Sequence, residues 1–223
     1  MHPCSAVKWL LGIVVTGLSV AASAAEPLPT TGRFLIANES IKDPRFSKTV
    51  ILMVDYEPKG ALGIIVNRPL SVTLHRAFPE TEWSTDSPGH MWYGGPVTPD
   101  RAAVLLRTND ELKYSQTVLT GLKFSAHNDA FAMANKMSDA SHFRIYAGYA
   151  GWGPGQLDNE MKRGDWRVVP ATIDAVFTPE PTKLWRQLSG NDGTWVQTGP
   201  LRLATGRAPG SEARLTLRPQ PAS

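Results

Sequence analysis

Short apolar runs separated by turn residues form the main hydrophobic pattern of this chain. Their length, and the β-branched residues within them, are typical of buried strands. The runs 49–54 and 61–66 are separated only by the turn residues 55–60, which predicts an antiparallel hairpin. Strands are predicted at residues 34–37, 49–54, 61–66, 102–106, 142–149, 166–169 and 173–177.

A different spacing, with apolar residues three and four positions apart, predicts three helices. We expect them to begin at Ser71, Ser125 and Thr178, where a hydroxyl oxygen can accept a hydrogen bond from an otherwise unpaired backbone N–H. Pro179 would then be the first residue of the last helix, a position that tolerates the missing N–H. The apolar stripes are Leu74, Ala77 and Phe78, then Ala130, Met133, Ala134 and Met137, and finally Leu184 and Leu188.

A glycine-rich segment follows the predicted strand 142–149 and predicts a tight turn into a further helix. We expect Gly153 as the N-cap and Pro154 as the first helical residue. Gln156 can then reach back to the N–H of the cap residue. Gly164 is placed to end this helix in a left-handed conformation.

The side chains of this predicted helix divide into a core face and an exposed face. Trp152 and Leu157 have the spacing of a hydrophobic staple, which packs the start of a helix against the core. Glu160 is expected to be exposed, so that Glu160→Gln should leave stability nearly unchanged.

The glycine-lined loop has two interpretations. Its backbone N–H groups can bind an anion or a peptide carboxylate, or its glycines serve backbone geometry alone.

The most specific pattern consists of four ordered segments, at residues 43–46, 60–69, 94–96 and 148–160. In this order they resemble the YqgE/AlgH family, and the resemblance runs over residues 32–190. It implies an α+β fold with a mainly antiparallel, bifurcated sheet that is curled into a partial barrel with flanking helices. It implies no established reaction, only a link by name to regulation of alginate synthesis.

Two residues depart from the pattern of that family. Glu39 stands where the family often has proline, and Tyr56 stands where it often has histidine. No histidine chemistry is therefore expected at the turn that contains Tyr56.

The composition supports one globular domain and excludes several function classes. The chain has 223 residues, of which 42% are hydrophobic and 19% charged. Its formal net charge of +3 comes without a run of Lys or Arg, so no nucleic acid is expected as a partner. The sequence contains no nucleophile elbow, phosphate loop or dinucleotide fingerprint. Four histidines are scattered along the chain without the spacing of metal ligands, and they are His75, His90, His127 and His142. Neither a metal nor a cofactor is therefore expected.

The N-terminus has the features of a secretory signal peptide. Lys8 precedes an apolar stretch at 9–20, and Ala22-Ser23-Ala24 offers small residues for cleavage. The predicted organisation is a signal peptide at 1–24, a linker at 25–31, the family-like domain at 32–190 and a partly disordered tail at 191–223. Cleavage would leave no cysteine and no stable membrane span, and would place the protein in the periplasm or outside the cell. The alternatives are an N-terminal membrane anchor, or a cytosolic location as for most of the family.

The residues around the glycine-rich turn are the candidate binding site. They would bind an unknown protein, or a small anionic or peptide ligand. The alternative is an enzyme that uses Glu160 or His90 as acid or base. The candidate binding residues are Gly94, Gly95, Pro96, Tyr149, Gly151, Trp152, Gln156 and Glu160.

Overall fold

The computed structural model describes residues 27–84, 89–137 and 139–190. The strands are β1 (Arg33–Ala37), β2 (Val50–Glu57), β3 (Gly60–Ile65), β4 (Pro69–Thr73), β5 (His90–Tyr93), β6 (Val97–Arg107), β7 (Gln116–Leu119), β8 (Leu122–Ser125), β9 (Phe143–Trp152) and β10 (Trp166–Pro170). The helices are α1 (Leu74–Ala77), α2 (Asn128–Lys136), α3 (Gln156–Lys162), α4 (Ile173–Val176) and α5 (Pro181–Ser189). The predicted signal peptide and tail lie outside the described residues, as do the first residues of the predicted linker.

One ten-stranded sheet organises these elements, in the order β10-β1-β2-β3-β9-β6-β8-β7. All pairings along this order are antiparallel, including the predicted hairpin of β2 and β3. The sheet branches at β9, which also pairs in parallel with β5, and β5 pairs with β4. Among the described strands, β10 and β7 end the order without pairing with each other. The expected α+β fold with a mainly antiparallel, bifurcated sheet that curls without closing is confirmed.

Strand β9 lies between two hydrophobic clusters, because successive side chains of a strand point to opposite faces. Phe143 and Ile145 belong to the smaller cluster, and Tyr146 and Trp152 belong to the larger one. The smaller cluster also includes Leu74, Met91, Val104, Leu106, Ala130 and Ala134. The larger cluster also includes Phe34, Ile51, Leu52, Ile64, Leu157, Val176, Leu184 and Trp185. Burial on both faces explains why β2 has a continuous apolar run instead of alternation.

A buried arginine on β9 fixes α4 and the segment that leads to α5. The guanidinium of Arg144 donates hydrogen bonds to the carbonyl oxygens of Val176 (2.5 Å) and Thr178 (2.6 Å). It also lies 3.7 Å from the centre of the Trp92 ring. Burial lowers the pKa of Arg144 from its ordinary value. Helix α5 is held in turn by Trp185, whose Nε1–H donates to the Ala37 carbonyl at 2.8 Å.

One predicted strand is wrong, and the hydrophobic pattern does not indicate several short strands. In the segment predicted as a strand at 173–177, residues 173–176 form helix α4, because the Thr172 hydroxyl caps them by accepting a hydrogen bond from the Ala175 N–H at 3.2 Å. The strands that the pattern does not indicate are β4, β5, β7 and β8. Each has only four or five residues, and much of each is exposed or half-buried, so its hydrophobic signal is weak.

All three predicted helix starts are displaced towards the C-terminus. Ser71 lies in β4, and Thr73 caps α1. Ser125 ends β8, and His127 caps α2. Thr178 does not cap α5, which begins at Pro181. In the first two cases the serine belongs to a strand, so the helix begins only after the strand ends.

Candidate functional site

The loop at 94–96 lies directly against the backbone of β9. A Cβ atom added to Gly94 would lie 2.2 Å from the Gly148 carbonyl oxygen, and one added to Gly95 would lie 2.1 Å from the Tyr149 carbonyl carbon. Both distances are far below van der Waals contact, so only glycine fits at these two positions. The close approach joins two of the segments that carry the family resemblance, and it places Pro96 beside the end of β9.

Helix α3 begins two residues later than expected. Gly155, and not Gly153, is the N-cap; it has a left-handed backbone (φ 67), and Pro154 precedes the helix. The predicted reach of Gln156 is nevertheless confirmed, because its Oε1 accepts a hydrogen bond from the Gly153 N–H at 3.1 Å. Gly164 adopts the predicted left-handed conformation (φ 77) where the helix ends.

The Glu160 carboxylate is held by three side-chain donors. Its Oε2 accepts hydrogen bonds from the Nε1–H groups of Trp152 and Trp166, each at 2.8 Å. Its Oε1 accepts one from the Nε2–H of Gln156 at 2.9 Å. The expectation of an exposed Glu160 is therefore wrong, since the side chain is half-buried between β9 and β10. The two indole rings pack edge to face, with their centres 6.2 Å apart.

These side chains form one wall of a cavity of about 330 Å³. Several of the predicted binding residues line it together: Pro96, Gly151, Trp152, Gln156 and Glu160. Gly94, Gly95 and Tyr149 are not among its lining residues. The two glycines provide the close approach to β9, and the half-buried Tyr149 ring packs near Gly151, where an added Cβ would lie 3.0 Å from Tyr149 Cε2.

The opposite wall comes from the loop before β2, which the sequence pattern does not assign to the site. Ile41, Arg45 and Phe46 line the cavity from this side. Arg68 fixes the loop by donating hydrogen bonds to the carbonyl oxygens of Pro44, Arg45 and Ser47 at 2.8–2.9 Å. The sequence does contain one signal for this wall. The segment 43–46 contributes to the family resemblance, although the sequence pattern assigns it no role.

Two arginines stand at the rim, and each is paired with a nearby aspartate. Arg45 contacts Asp43 at 2.7 Å, and Arg163 contacts Asp165 at 2.5 Å. The hydrogen bonds from Arg45 lower the pKa of the Asp43 carboxyl. Among the described lining residues, Arg45 and Arg163 balance the carboxylates of Glu160 and Asp165. The N–H of Gly153 is already bonded to Gln156, so the glycine-rich turn offers an anion one donor fewer than expected.

A smaller cavity of about 250 Å³ lies on the other side of the start of α3. Tyr56, which occupies the position where the family often has histidine, lines it together with Asp158. The Tyr56 hydroxyl donates a hydrogen bond to Asp158 at 2.5 Å, and this bond raises the pKa of Tyr56. The pair links the hairpin of β2 and β3 to α3.

The other candidate residue for acid or base chemistry lies elsewhere. His90 is exposed at the start of β5, opposite Thr73 of β4, and does not line the cavity that contains Glu160. Within the described ranges, no three His, Cys, Asp or Glu side chains are grouped so that they could hold a metal ion. Across the same ranges, no helix is long and apolar enough to cross a membrane.

A comparison of the whole chain with protein families gives a match over residues 34–196 to the family described as AlgH-like. The chain belongs to the AlgH-like family. A member from Streptomyces coelicolor, the UPF0301 protein SCO2948, is 33% identical over 162 residues, which are 71% of this chain and 84% of that relative. The expected family membership is thus confirmed.

Two solved structures have the same fold. The solution structure of the AlgH protein from Pseudomonas aeruginosa is 29% identical and has a TM-score of 0.59, over 74% of this chain and 92% of that one. The crystal structure of protein DIP2367 from Corynebacterium diphtheriae has a TM-score of 0.63, over 74% of this chain and 88% of that one. Its identity of 23% supports the fold alone.

Proposed function

We propose that this AlgH-like protein is a binding module that holds a peptide segment of a partner protein in the cavity between α3 and the loop before β2. The observation that carries the proposal is the convergence on this cavity of three segments that are distant in the chain. Trp152, Trp166 and Phe46 supply aromatic walls, and Arg45 and Arg163 supply donors at the rim. Aromatic residues and arginine are the types that contribute most to protein interfaces.

The charge balance of the cavity favours a peptide over a small anion. A site for a small anion would need an excess of positive charge or free N–H donors, whereas here the charges of the described lining residues balance. A peptide offers carbonyl oxygens and carboxylates to the rim arginines and apolar side chains to the aromatic walls. Apolar walls with a few placed polar groups are typical of such sites.

The walls are also held in place before any partner binds. Glu160 fixes the two indole rings, Gln156 fixes the turn at Gly153, and Arg68 fixes the opposite loop. Preorganised walls reduce the conformational entropy that is lost on binding. Because three side-chain hydrogen bonds hold the Glu160 carboxylate, we assign it a structural role and not that of an acid or base.

Selection from a displayed peptide library tests this proposal. Random peptides of about eight residues span roughly 26 Å when extended, enough to cross the cavity. We expect the wild-type protein to enrich a family of related peptides that compete with one another for binding. Equal enrichment of the same peptides on the double variant Arg45→Ala/Arg163→Ala would exclude the cavity as the binding site.

We further propose that the protein acts after export. Support comes from Lys8, the apolar stretch at 9–20 and the small residues Ala22-Ser23-Ala24. The intact mass of protein purified from the native cell envelope should correspond to a chain that begins near Ala25. Recovery of the full-length chain from the cytosol would exclude export.

A further inference from the structure

A second and larger cavity, of about 540 Å³, lies between α2 and β6, on the side of the smaller hydrophobic cluster. Its volume is within the range of small-molecule sites, which is about 300–1,000 Å³. None of the residues that line it lines the cavity near Glu160. It is therefore a separate site, and ligand binding in it does not depend on the proposed peptide binding.

Three aromatic rings form the apolar walls of this cavity. The centre of the Phe78 ring lies 6.3 Å from the centres of both the Trp83 and the Phe131 rings. Trp83 is also stacked on Phe143, with an interplanar angle of 1°. These contacts define a rigid apolar surface for a ligand body.

The side chain of Asn135 attaches the segment that carries Trp83 to α2. Asn135 Oδ1 accepts a hydrogen bond from the Ser84 N–H at 3.0 Å, and its Nδ2–H donates to the Glu82 carbonyl at 2.8 Å. Because these bonds lie on both sides of Trp83, they hold its ring at a fixed distance from α2.

Arg101 gives this cavity a positive charge. It is the only charged residue among the described lining residues, and no ion pair or hydrogen bond joins its guanidinium to the described part of the chain. By contrast, Arg107 on the same strand is paired with Asp174 at 3.2 Å. Asn128, the first residue of α2, lines the cavity as well and adds an amide group.

We propose that this cavity binds a small organic carboxylate with an aromatic or apolar body. The guanidinium of Arg101 donates a pair of hydrogen bonds to the carboxylate, for which its planar fork is suited. The amide of Asn128 adds a further donor, and Phe78, Trp83 and Phe131 enclose the body. The charge selects acids over neutral compounds, and the aromatic walls select apolar acids over polar ones.

The test uses two probes that differ only in the charged group, 4-phenylbutyrate and 4-phenylbutan-1-ol. Isothermal titration of the wild-type protein should show saturable binding of the acid, at least about tenfold tighter than binding of the alcohol. Arg101→Gln should weaken binding of the acid by about tenfold and leave binding of the alcohol unchanged. Arg107→Gln is the matched control, because it removes the same charge from the same strand outside the cavity, and it should bind both probes as the wild type does.

A third variant tests the position of the ligand body. Ala132 is an exposed residue of α2 that lines the cavity, so Ala132→Phe should fill the space without disturbing the core. It should abolish binding of both probes while the thermal melt stays unchanged. No saturable binding of 4-phenylbutyrate to the wild type would overturn the proposal. Equal binding of acid and alcohol, or equal losses in Arg101→Gln and Arg107→Gln, would overturn it as well.

Discussion

At the scale of single residues, Glu160 links function and stability, because it joins the two tryptophans of the proposed peptide site. In Glu160→Gln an amide N–H₂ group replaces one carboxylate oxygen. This group cannot accept a hydrogen bond from the donors around it. Hydrogen bonds to a charged group contribute about 1.5–3 kcal/mol each. We therefore expect the free energy of unfolding to fall by about 1–3 kcal/mol, which lowers the melting temperature by roughly 2–12 °C.

The control for this prediction lies on the same helix. Lys162 is exposed, so Lys162→Gln should change the free energy of unfolding by less than about 0.5 kcal/mol. Chemical denaturation of both variants measures the difference. A Glu160→Gln protein as stable as the wild type would show that the three hydrogen bonds do not contribute.

The buried hydroxyl of Tyr146 makes the stability of the protein depend on pH in the alkaline range. Burial raises the pKa of its hydroxyl from 10.0 to about 12, because the charged form is disfavoured in the core. The unfolded chain therefore loses this proton first as the pH rises. Stability should be independent of this group below about pH 10 and fall between pH 10 and 12, by at most about 1.4 kcal/mol per pH unit.

Thermal melts at increasing pH test this dependence. Tyr146→Phe should reduce the fall in stability that begins near pH 10, and the part that remains comes from Tyr56, whose pKa is also raised. Tyr114→Phe, which removes an exposed hydroxyl, should keep the wild-type profile. If Tyr146→Phe and the wild type lose stability in parallel, the hydroxyl of Tyr146 is not protected by the fold.

Local sequence patterns predict those residue contacts that depend on neighbours in the chain. The bond between Gln156 and the Gly153 N–H, and the left-handed Gly164, follow from spacing within one turn. The position of Glu160 could not be predicted in the same way. It depends on Trp166, whose place beside α3 is set by the pairing of β10 with β1, between residues that are far apart in the chain.

At the scale of elements, Arg144 holds α4 and the segment that leads to α5 against the sheet. Arg144→Met keeps an apolar side chain of similar length but leaves the carbonyl oxygens of Val176 and Thr178 without their donor. An unpaired buried polar group costs about 1–3 kcal/mol, so we expect a loss of about 3 kcal/mol or more.

Hydrogen exchange localises this effect. Amides of α4 and α5 should exchange faster in Arg144→Met than in the wild type, whereas those of β7 and β8 should be unaffected. Arg33→Met, at the half-buried start of β1, is the comparison for loss of a positive charge alone. Equal acceleration throughout the sheet would show that Arg144 supports the whole core and not these helices.

The strength of the hydrophobic signal determines which elements can be predicted. The prediction of β2 and β3 is correct because both faces of these strands are largely buried, which produces a continuous apolar run. Residues 173–177 are mostly apolar, like those of β2 and β3, but two hydrogen bonds favour a helical turn. The Thr172 hydroxyl caps the segment, and the Val176 carbonyl accepts a hydrogen bond from Arg144. Arg144 lies about thirty residues earlier in the chain, beyond the reach of any local pattern.

At the scale of the whole molecule, the sheet order brings the segments of the proposed peptide site together. The pairing of β3 with β9 and of β1 with β10 places the end of β9 and the start of β10 near the loop before β2. The family resemblance predicts this architecture, and residues from three of its segments meet at the cavity: Arg45 and Phe46, Pro96, and Gly151 to Glu160. The meeting of the first segment with the last needs the folded sheet and could not be predicted from spacing.

The central claim is that this cavity binds a peptide, and the affinity of one selected peptide tests it most directly. Calorimetric titration would compare the wild type with Arg45→Ala/Arg163→Ala. The control Lys42→Ala/Lys162→Ala removes two positive charges from the same two segments, at exposed residues that do not line the cavity. We predict a loss of at least about tenfold in affinity for the first variant and less than about twofold for the control. Equal affinities of the two variants, with both folded, would contradict the claim.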